Sequence, residues 1–132
     1  MLVIDSNVLF SALIKDSVTR RIILESKEKF LLPYYFFEEL KSHKQLIKEK
    51  TRLTDEELDI LMGSLLNKIE IVPKHRLSEN SKEAFDLLKD IDMNDTPFVA
   101  CALAYPGSAI WSDDKRLKQI KKIKVISTKE LI

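Results

Sequence analysis

The sequence predicts an α/β fold in which helices cover both faces of a central parallel sheet of about five strands. Short apolar segments alternate along the chain with longer amphipathic segments. The short segments are continuously apolar, as in strands that are buried on both faces. Apolar residues make up 45% of the 132 residues, which excludes a disordered chain. We therefore expect a three-layer α/β/α sandwich, formed by one domain spanning residues 1–132.

Five short apolar segments are the predicted strands. They are Met1–Ile4, Phe30–Pro33, Ile69–Pro73, Ala109–Ser112 and Lys124–Ser127. The first stops at Asp5, and the side chains of Ser6 and Asn7 are of the type that caps a following helix. Residues with strong strand preference and no charge dominate the others, which favours interior positions in the sheet.

Helical periodicity predicts the segments between the strands. They run from Ser17 to Glu28, from Tyr34 to about Lys50, from Thr54 to about Asn67, around Ala84–Ile91, from Pro97 to Tyr105 and from Asp114 to Ile120. Thr54 and Glu57 have the spacing of a capping box. Gly107 marks the end of the fifth helix, and Thr128 is predicted to cap a terminal turn.

Charge and cysteine content bound the class of protein. The formal net charge is only +1, but basic residues crowd the segment from Lys115 to Lys124, so a polyanionic partner is compatible with this composition. The single Cys101 allows no disulfide within the chain and fits a reducing compartment. No apolar run reaches membrane length and no leader is recognisable, so we expect a soluble, cytoplasmic protein without a membrane partner.

Two acids directly follow predicted strands, where open parallel sheets bind their ligands. Asp5 follows the first strand, and Asp114 follows the fourth, one residue after Asp113. Capping of the next helix explains either acid alone equally well. Together they predict a site at the carboxyl edge of the sheet.

Helical phase separates Glu38 from Glu39. At about 100° per residue, Phe36, Leu40, His43 and Ile47 share one stripe, which Glu39 borders and from which Glu38 points away. Glu39 is therefore the candidate site residue, since a carboxylate beside a buried face needs a partner. His43 is interpreted as a hydrogen-bonded histidine of the core or its rim, with a metal or substrate role as the weaker alternative.

A further acid precedes the predicted helix from Pro97 to Tyr105, which is apolar nearly all round and therefore buried. Asp95 stands at its start and is predicted to face the site, whereas Asp92 and Asn94 are interpreted as loop or capping residues. Four carboxylates gathered at one edge repel one another unless a cation joins them. Their oxygens favour Mg²⁺ or Mn²⁺ and the transfer of a phosphoryl group to water.

Four motifs in order resemble the PIN domain family. They are Val3–Leu9, Glu39–Leu40, Asp95–Ala104 and Trp111–Leu117. The resemblance implies a metal-dependent ribonuclease that hydrolyses RNA phosphodiester bonds with a metal-activated water, and it places the catalytic acids at Asp5, Glu39, Asp95 and Asp114. Of these, Asp5, Asp95 and Asp114 would hold the metal, with Glu39 completing the shell or orienting the water.

The same resemblance implies partners. Many small members are toxins of toxin–antitoxin pairs, similar to VapC-type toxins, so an antitoxin protein and a homodimer are expected candidates beside RNA. Ser6 and Ser112 would support the carboxylates, although helix capping explains each equally well. Lys115 and Arg116 are the predicted phosphate contacts.

Two other functions remain open at the level of sequence. A catalytically silent PIN-like module would bind RNA or protein without turnover. A haloacid-dehalogenase-like phosphatase would use Asp5 as its nucleophile and an acid two residues later, but Asn7 stands at that position.

Overall fold

The computed structural model describes residues 1–14 and 18–132, and its sheet has five parallel strands in the order β3-β2-β1-β4-β5. The strands are β1 (Leu2–Ile4), β2 (Phe30–Pro33), β3 (Ile69–Val72), β4 (Ala109–Trp111) and β5 (Lys124–Ile126). Each strand falls inside a segment that the sequence predicts as a strand. The predicted parallel sheet is therefore confirmed.

The helices lie between the strands, in the predicted order. They are α1 (Ser6–Ile14), α2 (Val18–Glu25), α3 (Phe36–Thr51), α4 (Asp55–Leu66), α5 (Lys74–Ser78), α6 (Ser81–Leu88) and α7 (Thr96–Ala104). Single 3₁₀ turns span Met93–Asp95, Lys115–Gln119 and Lys129–Leu131. The helix predicted from Ser17 to Glu28 corresponds to α2, and Ser17 itself lies outside the described residues.

The handedness of the crossovers explains why helices cover both faces. From β1 to β3 each new strand joins the same side of the sheet, so right-handed crossovers leave α1 to α4 on one face. The chain then returns past β1 to β4, which reverses the direction and places α5 to α7 on the other face. In agreement, α1 packs against α2 and α3, while α7 packs against α5, α6 and the central strands. The predicted three-layer α/β/α fold is confirmed.

Helix α7 fills the centre of its layer. All residues from Phe98 to Ala102 are buried, as expected for a helix that is apolar nearly all round. Cys101 is among them, and burial raises the pKa of its thiol to about 12. The cysteine is thus a core residue. Trp111, on β4, is also fully buried and packs against Phe30.

Helix α4 begins with the predicted capping box. The hydroxyl of Thr54 accepts a hydrogen bond from the Glu57 amide at 3.1 Å, and the Glu57 carboxylate accepts one from the Thr54 amide at 3.0 Å.

Among the helices that the structure describes, none combines the length and the apolar character needed to cross a membrane.

Three local predictions differ from the structure. Helix α5 was not predicted. It begins directly after Pro73, which is predicted as the last residue of the third strand; the strand ends at Val72, and Pro73 is the extended residue that precedes the helix. The segment from Asp114 to Ile120 forms only a 3₁₀ turn, Lys115–Gln119. Thr128 makes no capping bond, because its hydroxyl donates to Asp113 at 2.7 Å and accepts from the Trp111 indole at 2.9 Å.

Candidate active site

The candidate site lies at the carboxyl ends of β1 and β4, where the strand order reverses. The chain leaves β1 toward β2 on one side, while β4 pairs with β1 on the other. Such a reversal opens a crevice beyond the strand ends, which is where open α/β sheets bind ligands. Asp5 follows β1 directly, and its amide donates to the Trp111 carbonyl of β4 at 3.0 Å.

Ser112 connects the two strand ends through its side chain. Its hydroxyl donates to Oδ2 of Asp5 at 2.7 Å and accepts from the Asp114 amide at 3.1 Å. Only 4% of Asp5 is exposed, and burial raises the pKa of its carboxyl while the Ser112 hydrogen bond lowers it. Ser112 therefore fixes the orientation of Asp5 and the start of the Asp114 loop at once.

Glu39 enters the site from the first turn of α3. The hydroxyl of Ser6, the first residue of α1, donates to its Oε1 and so binds this carboxylate. Glu39 is partly buried, and burial raises the pKa of its carboxyl; the nearby charge of Asp5 also raises it. Glu38 is exposed, as the helical phase predicts.

His43 lies on the rim, one turn after Glu39. Its ring nitrogen Nδ1 is 2.8 Å from the Glu39 carbonyl oxygen, and its ring lies 5.0 Å from that of Phe10, between centroids. The side chain is exposed on its outer side. These contacts agree with the interpretation of a hydrogen-bonded rim histidine.

Asp95 stands at the N-terminal end of α7 but does not cap it with its side chain. Its carboxyl has a pKa raised to about 7, first by burial and then by the negative charges of Asp5, Asp92, Asp114 and Glu39. Such repulsion requires that these carboxylates lie near one another. The other three acids that the sequence singles out thus lie within electrostatic range of Asp95, and we call the four together the acidic cluster.

The two adjacent acids after β4 differ in what they contact. Asp113 accepts hydrogen bonds from the Thr128 amide and hydroxyl, both at 2.7 Å. Asp114 instead contacts the Arg116 guanidinium, which holds the pKa of the Asp114 carboxyl below its usual range. The charge of Asp114 also acts on Asp95, and the charges of Asp113 and Asp114 both act on Asp5.

A cavity of about 330 Å³ opens over the carboxyl ends of β1 and β4. It is lined by Asp5, Asn7, Val8, Asp113, Asp114 and Arg116. Three polar residues of this region, Asn7, Asp92 and Asp113, were not predicted as site residues. Asn7 lines the cavity, and its place three residues after the end of β1 was the available signal. Asp92 caps the 3₁₀ turn through the Asn94 amide, as expected, but also lies 3.5 Å from Arg116 Nη2.

A sequence model of the PIN domain matches residues 3–130. The chain belongs to the PIN domain family. Among solved structures, VapBC2 from Rickettsia felis bound to a DNA fragment from their promoter is similar, with a TM-score of 0.71 and 16% sequence identity. The alignment covers 96% of this chain and 97% of that chain, and at this identity it shows a shared fold. No curated protein matches the sequence.

Family membership leaves the haloacid-dehalogenase-like alternative without support. The position that would carry the acid of such a phosphatase holds Asn7, whose side chain cannot transfer a proton as a carboxyl group does. PIN domains are generally nucleases that depend on divalent metal ions. The relevant property of the acidic cluster in this PIN domain is therefore whether its residues suit such an ion.

The donor set of this PIN domain fits a hard divalent cation. It consists of carboxylate oxygens, and a cation would favour the ionised forms of Asp5, Glu39 and Asp95, whose pKa values are raised by burial first and by neighbouring negative charges second. As the side chains lie, no three His, Cys, Asp or Glu residues in the described ranges stand close enough to hold one ion. Asp114 accepts from Arg116, and Glu39 accepts from Ser6.

The basic residues after β4 do not all face the site. Lys118 pairs with Glu130, and Lys122 pairs with Glu83 at 2.7 Å. Arg116, predicted as a phosphate contact, contacts Asp114 and Asp92. Lys115 is exposed beside Asp114, and no ion pair joins it to any acid of the described residues.

Proposed function

We propose that this PIN domain is a metal-dependent ribonuclease that hydrolyses phosphodiester bonds of RNA. One observation carries the proposal: the hydroxyls of Ser6 and Ser112 hold the carboxylates of Glu39 and Asp5 where the strand order of the sheet reverses. The negative charges of these carboxylates and of Asp114 also act on Asp95. Burial of several carboxylates lowers the stability of the folded protein unless they are paired or bind a ligand. Family membership supplies the reaction class.

Asp5, Asp95 and Asp114 are the proposed ligands of one or two Mg²⁺ or Mn²⁺ ions. When bound, such an ion lowers the pKa of water and stabilises charge that develops on the phosphate. Asp5 is suited to this role because burial and Ser112 hold its carboxylate in one orientation. Asp95 is suited because its side chain does not cap α7, and because a cation would favour the ionised form of its carboxyl group, whose pKa burial and neighbouring charges raise to about 7.

Glu39 completes the shell or orients the attacking water. Its carboxylate accepts a hydrogen bond from Ser6, and burial, with a smaller contribution from the charge of Asp5, raises the pKa of this carboxyl group. A carboxylate with raised proton affinity is a better proton acceptor, which suits a group that positions a nucleophilic water. Lys115, exposed at the start of the turn after Asp114, is the proposed contact for a substrate phosphate.

Titration with Mn²⁺ tests the proposal. The wild-type protein should unfold at a higher temperature as Mn²⁺ is added, because the ion binds only the folded chain, and it should cleave RNA in proportion to metal occupancy. Thermal scans and an RNA cleavage assay measure the two effects on one sample. If neither effect appears, the chain is a catalytically silent PIN-like module.

The adjacent glutamates provide a matched control. Glu39→Gln should lower the metal-dependent cleavage by about 10- to 100-fold, the range seen when groups that orient a metal site or its water are removed. Glu38→Gln makes the same chemical change on an exposed position and should leave cleavage within about twofold of wild type. The opposite ranking would show that the α3 carboxylates have been assigned the wrong way round.

We also propose that the chain is the toxin of a toxin–antitoxin pair, similar to VapC-type toxins. The supporting observation is the shared fold with VapBC2 over nearly the whole length of both chains. Its partner would be a VapB-like antitoxin protein, and self-association to a homodimer is proposed with it.

Induced expression of the chain in a bacterial host tests the toxin assignment. Growth should stop because cellular RNA is cleaved, and the Asp5→Asn variant should permit growth at the same protein level. Culture density and RNA integrity are the measurements. Normal growth with active wild-type nuclease present would identify a stand-alone enzyme instead.

A further inference from the structure

The guanidinium of Arg116 occupies the acidic cluster as a positively charged group of the chain itself. Its Nε donates to Oδ1 of Asp114 at 3.1 Å, and its Nη2 donates to Oδ2 at 2.8 Å. The two bonds form the fork that matches a carboxylate with both oxygens engaged. Nη2 also lies 3.5 Å from Oδ2 of Asp92, so the guanidinium joins two acids from different segments.

This contact changes the ligand that Asp114 can offer. Both carboxylate oxygens of Asp114 accept from Arg116, and Oδ1 accepts from the Arg116 amide as well, at 3.0 Å. Asp114 is accordingly the one proposed metal ligand whose pKa is lowered, whereas the pKa values of Asp5 and Asp95 are raised. A divalent cation would have to replace these charge-assisted bonds before it could share the carboxylate.

The geometry also permits the arginine to leave. The Arg116 side chain is 56% exposed, and it lines the open cavity beside Asp5. An exposed ion pair of this kind contributes little net free energy, since water solvates both partners when they separate. Release of Arg116 therefore requires no rearrangement of the core.

We propose that Arg116 is a resident counter-cation that competes with the divalent metal for Asp114, so that metal loading displaces its guanidinium. The inference rests on the proposed function, because it concerns the metal of that same site. It assigns to Arg116 a positioning and gating role on Asp114, in place of the fixed phosphate contact that the sequence suggests. Metal affinity is then set partly by this side chain.

Calorimetric titration with Mn²⁺, without RNA, tests the competition. Arg116→Gln should bind Mn²⁺ about two- to fivefold more tightly than wild type, the range expected when an exposed ion pair no longer competes. Arg116→Lys should fall between them, because lysine keeps the charge but lacks the fork. Lys115→Gln removes the same charge from the adjacent residue and should differ from wild type by less than Arg116→Gln does.

Thermal unfolding of the same variants provides a second readout. In EDTA, Arg116→Gln should unfold at a slightly lower temperature than wild type and Lys115→Gln, by the small amount that an exposed ion pair contributes, because Asp114 and Asp92 lose their counter-ion. With saturating Mn²⁺ the deficit of Arg116→Gln should disappear. A side chain with only a structural role would lower the unfolding temperature equally in both conditions, and that result overturns the inference.

The outcomes separate this inference from the proposed function. If wild type binds Mn²⁺ and Arg116→Gln binds no more tightly than Lys115→Gln, the competition is wrong and the nuclease proposal stands. If no variant binds Mn²⁺ at millimolar concentration, both fall together.

Discussion

Replacement of Asp5 or Asp95 by asparagine should reduce Mn²⁺-dependent RNA cleavage by more than about 100-fold in protein that remains folded. Loss of groups that merely support metal ligands costs about 10- to 100-fold, so loss of a ligand itself should exceed that range. Asparagine keeps the shape of each side chain but removes the negative charge that a divalent cation requires. Initial rates at saturating Mn²⁺, with circular dichroism as the check on folding, provide the measurement.

Two comparisons make this result specific. Asp86→Asn, on an exposed position of α6, changes the same charge and should keep wild-type activity. Ser112→Ala should lose about 10- to 100-fold, since it keeps both carboxylates but removes the hydroxyl that orients Asp5 and accepts from the Asp114 amide. Unchanged cleavage in a folded Asp5→Asn variant would show that the reaction occurs elsewhere.

The second large effect is a loss of stability of the metal-free protein as the pH rises from 5 to 8. Asp95 has a pKa of about 7 in the folded protein, against 3.8 for the free side chain, so the folded state retains a proton that the unfolded chain has already released. Stability linked to that proton is present at low pH and disappears as the pH rises through 7. The direction is opposite to that of an ordinary paired carboxylate.

The expected loss is about 2 kcal/mol after allowance for the solvent that screens a half-exposed carboxyl group. Urea unfolding in EDTA at several pH values measures it. Asp95→Asn cannot take up the proton, so its stability should change much less across the same range, and above pH 7 it should exceed that of wild type. Parallel curves for the two proteins would show that Asp95 titrates near its ordinary pKa.

Periodicity and strand-end position predict most of the fold, because both depend on local sequence. The continuous apolar runs Phe30–Pro33 and Ala109–Ser112 have the length and composition of interior strands, and the capping box at Thr54 marks the start of α4. Helix α5 was not predicted because a helix of five residues is too short to show helical periodicity. Thr128 was misassigned because its partners, Asp113 and Trp111, are distant in sequence.

The same distinction between local signals and contacts distant in sequence applies to the candidate site. Asp5 could be located from the end of a strand and Glu39 from the phase of a helix, since each signal lies within one element. The contact between Arg116 and Asp92 joins segments 24 residues apart and depends on how a turn packs against the start of α7. No local pattern reveals whether a basic side chain turns outward to solvent or back to neighbouring acids.

The hydrogen bond from Ser112 to Asp5 spans 107 residues of sequence, and it bears on the order in which the chain becomes active. During synthesis β1 is made first, yet its pairing with β4 must wait until β4 has left the ribosome. Asp5 and Asp114 cannot meet before that time. Under the proposed function, a nascent chain could not cleave the messenger that encodes it before β4 has been made and has paired with β1.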